Sequence, residues 1–515
     1  MSLKITFYDS AYETFAVQSL AATLKAKGFN ADIYLDLSMS MDDLGEGFFL
    51  TPLFSLQPEE VAIRILAGKP DVIGFSIMTI YYGQLSAIIH AIKVQSPQTV
   101  VIAGGPHPTL VPRETLANRE IDFIFVGEAD HSLPSFLEDL ERFGMEPLKQ
   151  RTPVEMPGVW NVHQDEIIDR HFGQFQAVLD ELPFFYKDDH FRANPALRYV
   201  YTITCNRGCI YACTYCNSST MRKMYHENGQ KYYRSRSVDH VIAELKMAVV
   251  KYNPSYIMFL DNVFAPNISW LREFGEKYTR EIQLPFYCEA NPASYTLESI
   301  DIIAKAGCAV LQFGFQSANE EVRRTILKRR ETNDRIRELV SRAKQHRILV
   351  CVDHIANLPG EEEQHLDEAI NFYREIRPHW VNLAFLQYYP RADIIEIGLS
   401  RRHITQDELS NIIQGKSQGS IRLVSDGTLV DSYRVLPMRF FSAFKLNSKL
   451  SVFLDPYLKK PFVYRFLSPL ASLFIYASRI LYALTNRKDF LIRHHLQRNW
   501  YVVKNMLLTK WGYNG

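Results

Sequence analysis

The chain has 515 residues, which is long enough for two to four domains that each bury a core. Charged residues make up 22% and hydrophobic residues 47%, as in ordinary soluble proteins, and the net charge of +1 neither favours nor excludes a nucleic-acid partner. A predicted strand that starts at Leu3 leaves no room for a signal peptide. Four of the seven cysteines share one short segment, which is not the pattern of a secreted disulfide framework, so we expect the protein in a reducing cytoplasm.

Predicted strands and helices alternate through residues 1–143, the first predicted domain. The predicted strands are Leu3–Asp9, Ala31–Leu37, Asp71–Met78, Thr99–Ala103 and Asp122–Val126. Helical spacing of apolar residues predicts helices at Phe15–Lys27, Pro58–Ala67 and Leu85–Lys93, and a further helix ending near Phe143. Strands this apolar, separated by helices, are typical of a doubly wound, Rossmann-like parallel sheet of the α/β class.

The carboxyl ends of these strands are where such sheets bind ligands. The residues found there are Thr79, Gly104, Gly105, Pro106, His107, Gly127 and Glu128. Because glycines end strands in many proteins, a nucleotide-binding domain and a purely structural domain both fit this pattern.

Residues 144–197 mix proline, glycine and charge, which predicts a linker between domains with a hairpin at Val159–Ile168. The strand that follows leads into four cysteines, Cys205, Cys209, Cys213 and Cys216. The last three have the spacing C-x3-C-x2-C, which lets three thiolates hold three irons of a [4Fe–4S] cluster and leaves the fourth iron open. A zinc site with Cys205 as its fourth ligand is the alternative. In the cluster interpretation Cys205 is simply the end of the strand.

Residues 198–400 form the next predicted domain. Its six strands are predicted at residues 199–205, 256–262, 286–291, 310–316, 349–356 and 380–388, with helices between them such as Val238–Lys251, Leu297–Ala306 and Asp334–Gln345. Six strand–helix units predict a partial (β/α)6 TIM-type barrel. A full eight-unit barrel is the alternative, but no matching strands follow residue 390.

Active sites of such barrels lie at the carboxyl ends of the strands. The polar residues at these ends are Asp261, Asn262, Glu289, Asn291, Gln316, Ser317 and Asn357. Each alone is explained by a helix cap or a turn. Their recurrence at the ends of successive strands favours one common site.

The cysteine loop, with Tyr215 directly before its last cysteine, resembles the radical SAM superfamily. The segments Gly314-Phe-Gln-Ser317 and Asn357-Leu-Pro-Gly-Glu361 are similar to the Gly-Ile-Glu-Ser and Gly-Leu-Pro-Gly-Glu of that family. The resemblance implies a [4Fe–4S] cluster on Cys209, Cys213 and Cys216, with S-adenosylmethionine (SAM) on its open iron. It also implies SAM contacts from Tyr215, Asp261, Asn262, Glu289, Gln316, Ser317 and Asn357. Gln316 stands where the family commonly has glutamate, so no charge is present there for proton transfer.

The order DVIGFSIMT, VVIAGGPHPT and DFIFVGEAD in the first domain is similar to the cobalamin-binding domain found ahead of many radical SAM domains. The resemblance implies that the glycines make room for the nucleotide tail of cobalamin, and it places Thr79, Gly104, Gly105, Pro106, His107, Gly127 and Glu128 in that site. The family motif Asp-x-His-x-x-Gly is absent after the first strand, where this chain has Asp9-Ser-Ala-Tyr-Glu-Thr-Phe15. We therefore expect the lower face of the cobalt to be empty or to carry water.

Residues 401–515 form a predicted helical, basic and aromatic C-terminal segment. From Arg434 onward it has fourteen Lys and Arg residues against two Asp residues, a net charge of +12. Its longest uncharged run has 13 residues, too short to span a bilayer, which needs about 20. Two interpretations remain: peripheral contact with an anionic membrane, on the cytoplasmic face, or a helical cap on the barrel.

Together the resemblances imply a cobalamin-dependent radical SAM enzyme that methylates an unactivated carbon of a small or lipid-like substrate. An electron donor such as a flavodoxin or ferredoxin would be needed, and no nucleic-acid module is recognisable. The alternatives are oxidative cyclisation or rearrangement with the same cofactors, or an inactive cobalamin-binding sensor or scaffold.

Overall fold

The computed structural model describes residues 3–10, 13–37, 56–151 and 155–416, together with residues 497 and 504. Most of the predicted C-terminal segment, from residue 417 onward, lies outside the described residues. No helix within the described ranges is long and apolar enough to cross a membrane.

The first sheet has seven strands in the order β2-β1-β3-β4-β5-β6-β7. The first five are parallel: β1 Lys4–Ser10, β2 Asn30–Asp36, β3 Val72–Ser76, β4 Val100–Gly104 and β5 Phe123–Phe125. The predicted hairpin is present as β6 Val159–His163 and β7 Glu166–Ile168, and β6 pairs antiparallel with β5, so residues of the predicted linker extend this sheet. The helices of this part are Phe15–Ala26, Pro58–Ala67, Tyr82–Gln95, Pro106–Leu110, Pro112–Leu116, Ser132–Phe143 and Met145–Lys149.

Both faces of this sheet are buried, as predicted for a doubly wound domain. Successive residues of a strand point to opposite faces. Ile5 and Phe7 of β1 belong to one apolar cluster with Val17 and Leu24 of the first helix. Tyr8 belongs to a second cluster on the opposite face. The prediction of a sheet covered by helices on both sides is confirmed.

The second sheet has six parallel strands in the order β15-β14-β13-β12-β11-β8, so each strand pairs with its neighbours along the chain. They are β8 Val200–Ile203, β11 Tyr256–Phe259, β12 Phe286–Ala290, β13 Cys308–Gln316, β14 Leu349–Ala356 and β15 Trp380–Phe385. The outer strands β8 and β15 do not pair with each other, so the barrel is partial and has six units, as predicted. A short antiparallel pair, β9 Asn206–Arg207 and β10 Arg234–Ser235, lies beside β8 in sequence.

Helices precede, connect and follow these six strands. They are Asp188–Ala193, Asn217–Glu227, Val238–Tyr252, Ile268–Glu281, Leu297–Ala306, Glu320–Thr325, Asn333–Gln345, Glu363–Ile376, Ile394–Ser400 and Gln406–Ile413. Several begin at side-chain caps: Ser237, Thr296 and Thr332 accept hydrogen bonds from backbone N–H groups of the first turn. These caps fix where each helix starts, and the apolar faces of the helices pack on the outside of the strands.

Candidate active site

A cavity of about 430 Å³ lies where the carboxyl ends of the two sheets face each other. From the first domain it is lined by five of the residues predicted for cobalamin: Gly104, Gly105, Pro106, Gly127 and Glu128. From the barrel side it is lined by Thr204, Asn206, Arg207, Gly208, Asp261 and Asn262. The structure thus brings the predicted cobalamin loops and the base of the cysteine loop to one cavity.

Gly104, Gly105 and Gly127 form a glycine wall on the first-domain side of the cavity, and a side chain is disfavoured at these positions for different reasons. Gly105 and Gly127 have φ angles of 95° and 97°, a left-handed conformation that disfavours any side chain. Gly104 is not in that region, and a Cβ built on it would approach no atom closer than 3.7 Å. Because the fold itself does not demand glycine at position 104, its missing side chain fits the close approach of a ligand from the cavity. This wall therefore fits a bulky cofactor.

Four charged residues join the two domains beside the cavity. Arg207 donates to Asp130 at 2.7 and 3.0 Å and to Glu128 at 3.2 Å. Arg234 also donates to Glu128, at 2.5 and 3.1 Å. Burial alone would raise the pKa of Asp130, but the charge and hydrogen bonds of Arg207 lower it below its usual value. The loop after β5 is therefore tied ionically to β9 and β10, next to the cysteine loop.

A second link between the domains is the fully buried Lys187. Its ammonium donates to Glu13 at 3.0 Å and Gln18 at 3.0 Å in the first domain, and to Thr202 of β8 at 2.7 Å. A buried ammonium requires such partners. The linker residue thus fixes how the sheets face each other.

The end of β1, where the axial-histidine motif is absent, is occupied by a side-chain pair. The Asp9 carboxylate lies 2.8 Å from His190 Nε2, and both residues are buried. Neither of them lines the cavity.

Thr79 and His107, two further residues predicted for cobalamin, do not line the cavity. His107 is completely buried, lies 3.1 Å from the Thr79 hydroxyl, and stacks on Tyr82 with a centroid distance of 4.2 Å. Burial lowers the pKa of His107 to about 4, so the ring is neutral near pH 7. Direct contact of these two residues with cobalamin stays a prediction.

The cysteine loop carries three free thiols, Cys209, Cys213 and Cys216. Burial raises the pKa of Cys209 to about 11, and the neighbouring charges of Cys216 and Cys213 act in the same direction. Among the described residues no group of three or more His, Cys, Asp or Glu side chains is gathered as a metal site, so the ligand set stays a prediction. Chemically, three free thiols on one loop fit an iron–sulfur cluster.

Cys205 is buried at the end of β8, and burial raises the pKa of its thiol well above the usual value. Its backbone N–H and that of Asn206 donate to Asp261 Oδ1 at 2.8 and 2.9 Å. Burial raises the pKa of Asp261 to about 7. Asn262 donates to the Gly208 carbonyl at 3.3 Å. Asp261 and Asn262, two of the residues predicted to contact SAM, therefore brace the base of the cysteine loop and line the cavity.

Polar side chains face the inside of the barrel on four neighbouring strands. Glu289 accepts from the Tyr287 hydroxyl at 2.9 Å, and Asp353 accepts from Gln312 at 2.8 Å and from Asn382 at 3.1 Å. Burial raises the pKa of Glu289 to about 8, and the charge of Asp353 adds to this shift. Burial also raises the pKa of Asp353 to about 6.

Two of the residues predicted for SAM have unusual backbone conformations. Gln316 and Asn357 have φ angles of 72° and 65°, in the left-handed region that non-glycine residues rarely adopt. Gln316 also lies at an irregularity in the pairing of β13 with β14. Ser317 is buried beside it and accepts from the backbone N–H of Asn319 at 3.3 Å. A strained backbone conformation persists only where the surrounding fold maintains it, and such conformations are concentrated at functional sites.

Arg329 is a residue of this site that the sequence patterns did not single out. Its guanidinium is buried and donates to the Gly314 carbonyl, to the Tyr215 hydroxyl at 3.4 Å and to the Cys213 sulfur at 3.7 Å. It also pairs with buried Glu331 at 2.6 Å. One cation thus connects the predicted cluster ligand Cys213, the predicted SAM contact Tyr215 and the end of β13.

Two family models match this chain. One, described as the radical SAM superfamily, matches residues 203–373, and one described as a B12 binding domain matches residues 7–137. The chain therefore carries a B12 binding domain followed by a radical SAM domain, the combination that the sequence resemblance implies. Radical SAM domains bind a [4Fe–4S] cluster and SAM, and B12 binding domains bind cobalamin. The two matches therefore confirm the predicted cofactors.

Two of the curated proteins to which this chain is similar are named as methyltransferases. An uncharacterized methyltransferase of Pyrococcus horikoshii is 24% identical over 66% of this chain and 72% of its own length. The cytidylyl-2-hydroxyethylphosphonate methyltransferase of Streptomyces wedmorensis is 22% identical over 63% of this chain and 65% of its own. The anaerobic magnesium-protoporphyrin IX monomethyl ester cyclase of Rubrivivax gelatinosus is 21% identical over 74% of this chain and 65% of its own. The chain thus spans about two thirds of these relatives.

Solved structures show the same fold. The radical SAM methyltransferase TsrM from Kitasatospora setae, with cobalamin and a [4Fe–4S] cluster bound, has a TM-score of 0.60 at 15% identity, covering 76% of this chain and 77% of that chain. The cobalamin-dependent SAM radical enzyme OxsB, with aqua-cobalamin and SAM bound, has a TM-score of 0.62 at 12% identity, covering 98% and 80%. The predicted two-part α/β architecture is confirmed.

Proposed function

We propose that this protein is a cobalamin-dependent radical SAM methyltransferase that methylates an unactivated carbon of a small molecule. The observation that carries the proposal is the cavity shared by Gly104, Gly105 and Gly127 of one domain and by Asn206 to Gly208 at the base of the cysteine loop. When bound, the cluster and SAM supply hydrogen-atom abstraction, and cobalamin supplies a methyl group. Two methyltransferases among the curated relatives support this reading.

The protein's own residues have positional roles in this proposal. Cys209, Cys213 and Cys216 would hold the cluster, and the glycine wall would hold cobalamin. The contacts of Lys187 and Arg207 keep the two sheets facing each other, so that a substrate carbon is presented to both cofactors. The apolar rings of Phe7 and Phe125 in the cavity lining help to exclude water.

The test is anaerobic reconstitution with iron, sulfide and cobalamin, followed by incubation with reduced flavodoxin as electron donor, a cell extract and SAM carrying a deuterated methyl group. The proposal expects 5′-deoxyadenosine together with a product that carries the deuterated methyl on carbon, located by mass spectrometry and NMR. The matched control is Cys213→Ala, which should retain little iron and form neither product.

A second candidate function is radical cyclisation or rearrangement without methyl transfer, and the relative named as a cyclase supports it. The same assay separates the two, since this candidate predicts 5′-deoxyadenosine and a changed substrate without the deuterated methyl. A protein that binds cobalamin but cleaves no SAM would instead be a sensor or scaffold.

We also propose that the basic C-terminal segment, with its net charge of +12 from residue 434, contacts anionic lipid. The full-length protein should co-sediment with vesicles containing phosphatidylglycerol and not with phosphatidylcholine vesicles, and high salt should release it. Equal behaviour with both vesicles would favour the interpretation of the segment as a helical cap on the barrel.

We further propose that a small electron-transfer protein such as a flavodoxin supplies the electron that the cluster needs to cleave SAM.

A further inference from the structure

Three side chains form a hydrogen-bonded series behind the strained residue Asn357. Asn357 Oδ1 lies 3.2 Å from His403 Nε2, and His403 Nδ1 lies 2.8 Å from the Tyr388 hydroxyl. Asn357 follows β14 and Tyr388 follows β15, whereas His403 comes from the turn between helices Ile394–Ser400 and Gln406–Ile413. A residue beyond the predicted end of the barrel domain at residue 400 therefore reaches a predicted SAM residue.

The Tyr388 hydroxyl determines which nitrogen of His403 carries the proton. Burial raises the pKa of Tyr388, which is only 1% exposed, so the hydroxyl keeps its proton and needs an acceptor for it. Among the described residues the hydrogen-bond partner of this hydroxyl is His403 Nδ1, so Nδ1 accepts. Burial also lowers the pKa of His403, so the ring is neutral and its proton is on Nε2.

The proton on Nε2 then determines the orientation of the Asn357 amide. Nε2 donates, so the atom that faces it must be the acceptor Oδ1. The amide nitrogen with its two N–H donors points the other way, and it makes no hydrogen bond to any residue in the described ranges. An amide that is free to flip would not present donors in one direction.

The backbone around Asn357 is held independently of this series. Its N–H donates to Glu361 at 2.7 Å, and that carboxylate also accepts from the Leu358 N–H at 3.2 Å. Arg401 donates to the Pro359 carbonyl at 3.3 Å. Since these contacts fix the loop, the contribution of His403 is the direction of the amide rather than the position of the backbone.

We propose that Tyr388 and His403 are positioning residues that keep the N–H donors of Asn357 directed at bound SAM, where they donate to an acceptor atom of that molecule. The proposal rests on the proposed function and on the SAM contact of Asn357 that the sequence resemblance implies. It predicts that affinity for SAM depends on the hydrogen-bonding sense of residue 403, not only on its size.

The sharpest test compares His403→Gln with His403→Glu, two variants of nearly equal shape. A glutamine amide accepts from Tyr388 and donates to Asn357, whereas a glutamate offers only acceptors and turns the Asn357 amide around. The SAM dissociation constant is measured anaerobically by equilibrium dialysis on the reconstituted full-length protein. We expect His403→Gln within about threefold of the wild type and His403→Glu weaker by about tenfold or more.

Tyr388→Phe supplies a second measurement. It removes the proton donor to Nδ1, so both tautomers become accessible, and we expect a loss of SAM affinity of about threefold, between the Gln and Glu variants. Arg402→Gln, an exposed neighbour, is the matched control and should change nothing. Iron content and cobalamin affinity should be unchanged in all four variants.

Equal SAM affinity of the His403→Gln and His403→Glu variants would overturn the proposal, because it would mean that His403 contributes only packing contacts and does not orient the Asn357 amide. The same conclusion would follow if Tyr388→Phe bound SAM like the wild type. Failure of the wild-type protein itself to bind SAM is a different result, because it would overturn the proposed function together with the role of Asn357.

Discussion

At the residue scale, the buried ion pair of Arg329 and Glu331 makes the stability of the protein sensitive to substitution of either residue. Both side chains are buried, with 5% and 1% exposure, and their atoms lie 2.6 Å apart. Removing one partner of such a pair leaves a buried charge uncompensated, which costs about 3–5 kcal/mol. Replacing both by neutral groups avoids that penalty.

We therefore predict that Arg329→Gln lowers the stability to urea by about 3 kcal/mol or more, and that Arg329→Gln combined with Glu331→Gln recovers a large part of this loss. Anaerobic unfolding of the cluster-free protein, followed by circular dichroism, measures both. A double variant no more stable than the single one would mean that the guanidinium contacts with Gly314 and Cys213 matter more than its charge partner.

At the element scale, the inner face of the barrel strands carries carboxyl groups whose pKa is higher in the folded protein than in the unfolded chain. The pKa of Glu289 is raised to about 8 and that of Asp353 to about 6, chiefly by burial. Between the unfolded values near 4 and these folded values, the folded protein binds more protons than the unfolded chain. Stability must then fall as pH rises through this window.

The cluster-free protein is accordingly expected to have a lower melting temperature at pH 9 than at pH 6. Glu289→Gln should flatten this dependence, because glutamine keeps the hydrogen bond from Tyr287 and has no proton to lose. Glu298→Gln is the control, since Glu298 is on the surface and pairs with Arg272. Identical pH profiles for Glu289→Gln and the wild type would contradict the assignment.

The elements themselves were largely predictable, because apolar runs and their periodicity are local properties of the sequence. The predicted strand 349–356 coincides with β14 Leu349–Ala356, and the other barrel strands differ by a few residues at their ends. Lys187, Arg329 and His403 were not predicted. Each of them contacts a residue that is far away in sequence: Lys187 contacts Glu13, Arg329 contacts Cys213, and His403 contacts Asn357. A Lys or Arg in a polar segment such as Leu327-Lys-Arg-Arg-Glu331 is expected on the solvated surface unless the fold buries it.

At the scale of the whole molecule, the loop after β5 and the cysteine loop are tied by one ionic network. Glu128 is shared by Arg207 and Arg234, and Arg207 is only two residues before Cys209. The Arg234 side chain is 5% exposed, so it depends on this carboxylate for compensation. The network therefore couples the loops predicted for cobalamin to the cysteine loop predicted for the cluster.

Glu128→Gln should loosen this junction without unfolding either sheet. We expect faster hydrogen–deuterium exchange in residues 127–130, 206–208 and 234–235, and a cobalamin affinity reduced by about tenfold, because the wall formed by Gly127 is no longer held against the barrel. Glu60→Gln is the control: its pair with Arg64 is exposed on one helix and contributes only about 0.3–0.5 kcal/mol. Unchanged exchange at the junction, with cobalamin still bound as tightly, would show that the contacts of Lys187 and the pair of Arg207 with Asp130 are sufficient to hold the two sheets together.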